Sequence, residues 1–283
     1  MKPWLIILVM CAAATAAADP QPALPVVVTI PPLAGLAERI GGDRLEIQVL
    51  ADAGQDPHTF EPTPRQLAQI ESARLLIGVG LPFEVRLVQK LHGVERGLMI
   101  TDASAGILKR AMHTGHGHDH PDPHVWLSPV KLEAVVENIA ASLKQVDPEG
   151  EARYAEGADS LKADLIRLHR ELTEQLAPLK GKSLFVFHPA FGYFAEAYGM
   201  EQVAVEIEGK SPTPRQLAAL IERAREQQVR AIFLQPQFDP RAAASVARAI
   251  RGAVVPLDPL ARDVIANLRA MGRAVHDALS DEG

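Results

Sequence analysis

Cysteine is almost absent from the chain: Cys11 is the only one among 283 residues. It lies in an N-terminal segment with the features of a secretion signal. Lys2 precedes a short apolar run, Leu5–Met10, and Ala16-Ala17-Ala18 is typical of a cleavage site. If cleavage follows Ala18, the remaining chain can form neither disulfide bonds nor a thiolate. An exported chain without disulfides indicates a bacterial cell envelope.

Cys11 could also carry a lipid, because Leu8-Val9-Met10-Cys11 partly resembles a lipoprotein signal. Met10 stands where that signal has a small residue. We therefore expect residues 1–18 to be removed and the protein to be released into the periplasm, rather than anchored to a membrane through Cys11.

Long hydrophobic runs and an excess of positive charge are also missing. Beyond the N-terminal segment, nothing approaches the ~20 apolar residues that a membrane-spanning helix requires. The formal net charge is −6, which argues against nucleic acid because such partners require clustered basic side chains. A negative protein does attract cations. We expect a monomer that binds no nucleic acid.

The sequence does contain two similar successions of apolar strands and amphipathic helices. Alternating strands and helices predict parallel sheets in α/β lobes. Between the two halves, Asp147-Pro148 opens a long helix with leucines every three or four residues up to Leu176. We therefore predict an α/β fold with an N-terminal lobe (19–146), one rigid linking helix (147–180) and a similar C-terminal lobe (181–283).

The heptapeptide PTPRQLA occurs in both halves, at residues 62–68 and 212–218. Thr63 and Thr213 are predicted N-caps, and a glutamine follows each of them three residues later, which is the pattern of a capping box. The repeat mainly starts a helix. It also marks equivalent strand-to-helix junctions, and α/β proteins bind ligands at such junctions.

Three histidines and one aspartate lie at these junctions, two in each half: His58, His124, His188 and Asp258. Imidazole nitrogen and carboxylate oxygen are ligands of divalent transition metals, and four such groups complete a tetrahedron. A single histidine is more often a surface or packing residue. Spacing alone therefore leaves both interpretations open.

Several segments resemble one protein family over nearly the whole chain after residue 18. They are DPHTFEPTPRQL, DPHVWLSP, DPEGEARYAEGADSL, FHPAFGYFAEAYGM and VVPLDPLA. The chain resembles the zinc- and manganese-binding solute-binding proteins of bacterial ABC transporters. That resemblance implies two lobes bridged by a rigid helix, with the metal in the cleft between them. Its implied ligands are His58, His124, His188 and Asp258, and Glu61 is a candidate to orient one of the imidazoles.

The resemblance implies a periplasmic protein that binds Zn²⁺ as its transported substrate and delivers it to an ABC permease. A periplasmic metallochaperone is a further candidate partner. Mn²⁺ is the alternative metal, although three imidazoles favour zinc because manganese prefers carboxylate oxygen. Two other classes remain as alternatives: a zinc metallohydrolase, and a metal-buffering protein or adhesin without a permease. No H-E-x-x-H motif supports the hydrolase.

A histidine-rich tract, HTGHGHDH, lies in the predicted loop 111–120. Its composition cannot form a packed core. Weak metal capture and a passive linker are both compatible with it. Glu206 and Glu208, just before the second heptapeptide, are reserve candidates for a carboxylate ligand.

Overall fold

The computed structural model describes residues 22–91, 97–112, 120–206 and 213–280. The N-terminal lobe is built on a parallel sheet of four strands in the order β2-β1-β3-β4. These strands are β1 (Leu24–Val28), β2 (Leu45–Val49), β3 (Leu75–Gly78) and β4 (Met99–Asp102). The apolar residues of β1 and β3 are nearly inaccessible to solvent, so the middle of the sheet forms the centre of the lobe.

Four helices cover this sheet: α1 (Pro31–Gly41), α2 (Pro64–Ser72), α3 (Pro82–Leu91) and α4 (Pro129–Val146). Each begins with a proline, whose fixed φ suits the first helical position. Between β4 and α4, the short strands β5 (Ala111–Met112) and β6 (His120–Pro121) pair in an antiparallel way. They enclose the histidine-rich tract, most of which lies outside the described residues.

In the described part of the chain, the lobes are linked by helix α5 (Glu151–Leu176), which has 26 residues. Its buried face carries the predicted leucines, Leu161, Leu165, Leu168, Leu172 and Leu176. It packs against α1 and α4 of the first lobe and α9 of the second, so it is part of both cores. Within the described residues, no helix is both long and apolar enough to cross a bilayer.

The C-terminal lobe repeats the architecture. Its strands are β7 (Ser183–Val186), β8 (Glu201–Ala204), β9 (Ala231–Leu234) and β10 (Ala253–Pro256), and they form a parallel sheet in the order β8-β7-β9-β10. Its helices are α6 (Gly192–Ala197), α7 (Pro214–Glu226), α8 (Pro240–Ile250) and α9 (Val264–Leu279). The two sheets have the same topology, which confirms the predicted fold of two similar lobes. The residue limits predicted for the lobes stay a prediction.

The two heptapeptides occupy equivalent places in the lobes, because α2 follows the second strand of the first sheet and α7 follows the second strand of the other. The capping box is present at both Thr63 and Thr213, whose side chains accept from the backbone N–H of Gln66 and Gln216. The local interpretation of the repeat is therefore confirmed.

The apolar pattern of the sequence predicts a last helix over Leu260–Leu279, but the structure shortens this helix at its start. It begins at Val264, because the Asp263 side chain accepts a hydrogen bond from Ala266 N (3.0 Å) and caps it there. Residues 260–263 are left in a loop that packs against α1 of the other lobe. There Arg262 Nε donates to Glu38 Oε2 (2.9 Å), so this loop joins the lobes.

The close packing of α5 on α1 depends on Gly157. A Cβ at this position would lie 2.4 Å from Ile40 O and 2.7 Å from Ile40 Cα, and these backbone atoms cannot rotate away. We expect Gly157→Ala to lower the free energy of unfolding, since overpacking costs ~1–3 kcal/mol while the gain in helix propensity is about 1 kcal/mol.

Urea denaturation measures this change. Ser160→Ala, on the exposed side of α5, is the control that improves helix propensity without adding a contact. Equal or greater stability of Gly157→Ala would contradict the tight packing of the linking helix.

Candidate metal centre

The imidazoles of three predicted ligands converge between the lobes. His58 Nε2 lies 3.2 Å from His124 Nε2 and 3.1 Å from His188 Nε2. One ligand atom from each ring falls within 4.8 Å of the others. His58 and His124 belong to the first lobe and His188 to the second, so the cluster exists only where the lobes meet.

Each histidine is held by a different connection. His58 lies in the loop between β2 and α2, His124 precedes a 3-10 turn that leads into α4, and His188 is two residues past β7. His124 and His188 are buried, whereas His58 is half-buried. The sheet and helix ends therefore present three rings towards one point.

Two carboxylates fix the outer nitrogens of two of these rings. Asp122 Oδ1 lies 2.7 Å from His124 Nδ1, and Glu206 Oε1 lies 2.5 Å from His188 Nδ1. Both carboxylates are buried. In the neutral imidazole, an Nδ1–H that donates to a carboxylate leaves the Nε2 lone pair free for a metal, and such partners also orient the ring.

The environment of two of the imidazoles, His58 and His124, favours their neutral form. Burial, together with the neighbouring His124 and His188, lowers the pKa of His58 to about 2. Burial also lowers the pKa of His124, although the contact with Asp122 acts in the opposite direction. Because only the neutral ring can coordinate, both lone pairs stay available at pH values where an exposed histidine is protonated.

The spacing of the nitrogens suits a single tetrahedral ion. Zinc bound to imidazole at ~2.0–2.1 Å holds its ligand nitrogens about 3.3 Å apart, close to the 3.1 and 3.2 Å seen here. The cavity at the cluster measures about 20 Å³, room for roughly one water-sized occupant. Its apolar walls are Leu81, Trp126, Phe238, Pro259 and Leu260.

Asp258, the fourth predicted ligand, is not part of this cluster. Its Oδ1 accepts hydrogen bonds from Leu260 N (2.9 Å) and from Gln237 Nε2 (3.2 Å). Gln237 lines the cavity, and its Oε1 is buried without a hydrogen-bond partner among the described residues. The ligand role of Asp258 therefore stays a prediction, and its carboxylate would have to turn to fulfil it.

A repeated local motif explains where Asp258 lies. Asp56 Oδ1 accepts from His58 N (2.9 Å) and Asp122 Oδ1 accepts from His124 N (3.0 Å). Asp258 makes the same bond to the residue two positions on, and each aspartate is followed by proline. Side-chain bonds of this kind form tight Asx turns. The residue that donates to the aspartate is a histidine in the turns at Asp56 and Asp122. In the turn at Asp258 it is Leu260.

The remaining predictions concern residues around the cluster. The Trp126 ring lies against that of His124, with centroids 5.1 Å apart, and its Nε1 donates to Pro259 O (2.8 Å) across the lobes. Glu206 contacts the outer nitrogen of His188 and stands outside the metal-facing cluster. Glu61 is exposed. Glu208 and His113–Asp119 lie outside the described residues.

Sequence reasoning missed Asp122 and Gln237. The repeated Asp-Pro-His, at residues 56–58 and 122–124, was the available signal for Asp122. No local pattern distinguishes Gln237, because its position at the cavity results from the tertiary fold.

Two parallel-sheet lobes, a bridging helix and a cluster of imidazoles in the cleft define a two-lobed solute-binding protein with a candidate metal site. The chain belongs to the family described as zinc-uptake complex component A, periplasmic, which matches residues 26–278.

Among its relatives, the high-affinity zinc uptake system protein ZnuA of Paracoccus denitrificans is 30% identical over 322 aligned positions, covering 96% of this chain and 97% of that protein. A putative metal-binding protein of Treponema pallidum is 29% identical and covers 82% and 78%. A crystal structure of ZnuA is 35% identical with a TM-score of 0.86, covering 91% and 100%.

The lowered pKa of His58 predicts a pH-dependent stability of the metal-free protein. Below the unfolded value of ~6.5, the unfolded chain binds a proton that folded His58 does not, so stability present above that pH is lost as the pH falls. We expect the melting temperature to drop between pH 7 and pH 5, and to drop less in His58→Gln.

Thermal melts in a metal chelator at several pH values test this expectation. His276→Gln, on α9 and away from the cluster, should keep the wild-type slope. An unchanged slope in His58→Gln would show that His58 does not carry the effect.

Proposed function

We propose that this protein captures Zn²⁺ in the cleft between its lobes and delivers it to an ABC permease. The observation that carries the proposal is the convergence of three imidazoles contributed by both lobes, in which His58 Nε2 lies 3.2 Å from His124 Nε2 and 3.1 Å from His188 Nε2, close to the spacing around a tetrahedral ion. Zinc is the transported substrate here. Membership of a zinc-uptake family and the relatives named above support the same conclusion.

We place His58, His124 and His188 on the metal. Asp258 or a water molecule completes the tetrahedron. Asp258 can reach the fourth position only if its carboxylate leaves Gln237 Nε2, whose bond to it measures 3.2 Å. The buried and partnerless Gln237 Oε1 could instead accept a hydrogen bond from a bound water. Three nitrogen ligands suit zinc better than manganese, which prefers carboxylate oxygen.

The geometry favours carrying an ion over hydrolysis. The cavity of about 20 Å³ has the size of a single ion or water molecule. A hydrolytic zinc also needs a general base beside its water. Among the described residues, the carboxylates of Asp122 and Glu206 contact the imidazoles, and each does so at the outer nitrogen of His124 or His188. We therefore expect zinc-loaded protein to show no hydrolase activity.

We further propose a cellular location and two binding partners for this protein. The protein acts in the periplasm after removal of residues 1–18, as a monomer that docks on the permease. A periplasmic metallochaperone is a candidate for loading it. Recovery of the permease with zinc-loaded protein, and loss of zinc uptake on deletion of the gene, would distinguish transport from metal buffering.

The proposed ligand set predicts the choice of metal. We expect wild-type protein to bind Zn²⁺ more tightly than Mn²⁺, and His188→Glu to narrow that preference chiefly by weakening zinc, because carboxylate oxygen replaces imidazole. Metal analysis of natively purified protein, followed by titration of both metals against a chromogenic chelator, measures this. Tighter manganese than zinc binding in the wild type would overturn the assignment.

The separate position of Asp258 predicts unequal contributions from the four candidate ligands. His188→Ala should weaken zinc by more than the ~10–100-fold typical of residues that only contact a ligand. Asp258→Asn keeps the turn acceptor for Leu260 N and should cost less. Competition titrations compare the two variants. Equal losses would show that Asp258 turns inward and coordinates the metal.

A further inference from the structure

The paired strands β5 and β6, with the flanking residues Arg110 and Asp122, form a short stem. This stem joins the imidazole cluster to the opposite lobe. Arg110 and Asp122 flank the pair β5–β6, and Asp122 N donates to Arg110 O (2.9 Å). Asp122 is also the residue that contacts His124 Nδ1. One end of the stem is therefore attached to a candidate ligand.

Asp122 is a buried carboxylate, and among the described residues only one of its two oxygens forms hydrogen bonds. Its Oδ1 contacts the His124 ring and backbone N–H. Its Oδ2 is buried without a hydrogen bond among the described residues, and Arg110 Nη1 approaches it at 3.8 Å. A buried carboxylate without a cation nearby is costly. Arg110 thus stabilises the charge that orients His124.

The second lobe reaches the same stem through α6. Tyr193 Oη accepts from Arg110 N (3.0 Å) and donates to Asp122 O (3.0 Å), so it joins the two backbones of the stem. The guanidinium of Arg110 lies 5.8 Å from the centre of the Tyr193 ring and 3.5 Å from Glu196 Oε2. Helix α6 begins four residues after His188, so this contact is close to the third candidate ligand.

Gly192 leaves the space that the guanidinium occupies. A Cβ at Gly192 would lie 1.3 Å from Arg110 Nη1 and 3.2 Å from Asp122 Oδ2. Any other residue here would displace the arginine from its place beside the carboxylate. The second lobe therefore presents a fitted site for this one side chain.

We propose that Arg110 is a positioning residue of the metal site. Through Asp122 it holds the His124 ring in its coordinating orientation, and through Tyr193 and Gly192 it links that orientation to contact between the lobes. The inference rests on the proposed function, because it concerns the same imidazoles. Arg110 does not touch the metal.

The test compares two arginines that each form an ion pair between the lobes. Arg110→Ala should weaken zinc about 10-fold or more, within the ~10–100-fold range known for residues that orient a metal ligand. Arg262→Ala removes the pair with Glu38, which contacts no imidazole, and should change affinity less than about 3-fold, as expected for an exposed pair. Arg110→Lys keeps the charge and should recover part of the loss.

A second variant keeps every charge and moves only the guanidinium. Gly192→Ala should weaken zinc in the wild-type background and add little to Arg110→Ala, because both changes act on the same contact. The visible spectrum of bound Co²⁺ should differ from wild type in Arg110→Ala and Gly192→Ala but not in Arg262→Ala. A general loss of stability would not produce that pattern.

The outcomes separate the two proposals. If wild-type protein fails to bind zinc, the proposed function is wrong and this inference with it. If wild type binds zinc and Arg110→Ala matches Arg262→Ala in affinity and Co²⁺ spectrum, the proposed function stands and the positioning role is wrong. Full additivity of Gly192→Ala and Arg110→Ala would also contradict it.

Discussion

The rest of the structure depends on bringing the Nε2 atoms of His58, His124 and His188 within coordinating distance across two lobes. At 3.1–3.2 Å, the Nε2 lone pair of His58 and those of His124 and His188 repel one another unless a proton or a metal cation lies between them. Such an arrangement has to be imposed by the surrounding protein. Helix α5 supplies the main constraint, because it packs into both cores and leaves the lobes little freedom to separate.

Contacts on both sides of the cleft add to this constraint. On one side, Trp126 Nε1 donates to Pro259 O. On the other, Tyr193 joins the backbones of Arg110 and Asp122. The cleft is therefore bounded by interlobe contacts as well as by the linking helix. A site held in this way is organised before the metal arrives, which reduces the entropy lost on binding.

The same Asp-Pro turn occurs three times around the candidate metal site. Aspartate followed by proline forms a tight turn whose carboxylate accepts from the residue two positions on, at Asp56, Asp122 and Asp258. Two of these turns present a histidine and the third presents Leu260. The third turn thus contributes an apolar wall to the cavity. Its aspartate, Asp258, accepts hydrogen bonds from Leu260 N and Gln237 Nε2. This arrangement accounts for the absence of Asp258 from the cluster.

Local patterns in the sequence were sufficient for much of the fold. Strand and helix alternation, the capping boxes at Thr63 and Thr213 and the leucine face of α5 involve residues a few positions apart, and all appear as predicted. The predicted start of α9 at Leu260 is wrong, because Asp263 caps the helix and makes it begin at Val264. The histidines themselves could be named from their motifs.

Only the tertiary structure decided how the histidines are used. The pairing of Glu206 with His188, the place of Gln237 at the cavity and the contact of Arg110 with α6 join residues that local patterns do not connect. Each depends on how strands and loops are brought together in three dimensions. Even Asp122, two residues from His124, owes its charge partner to a strand pairing and its burial to the opposite lobe. The residue types in local sequence motifs identified the candidate ligands. Packing between the lobes determined which of these side chains lie close together.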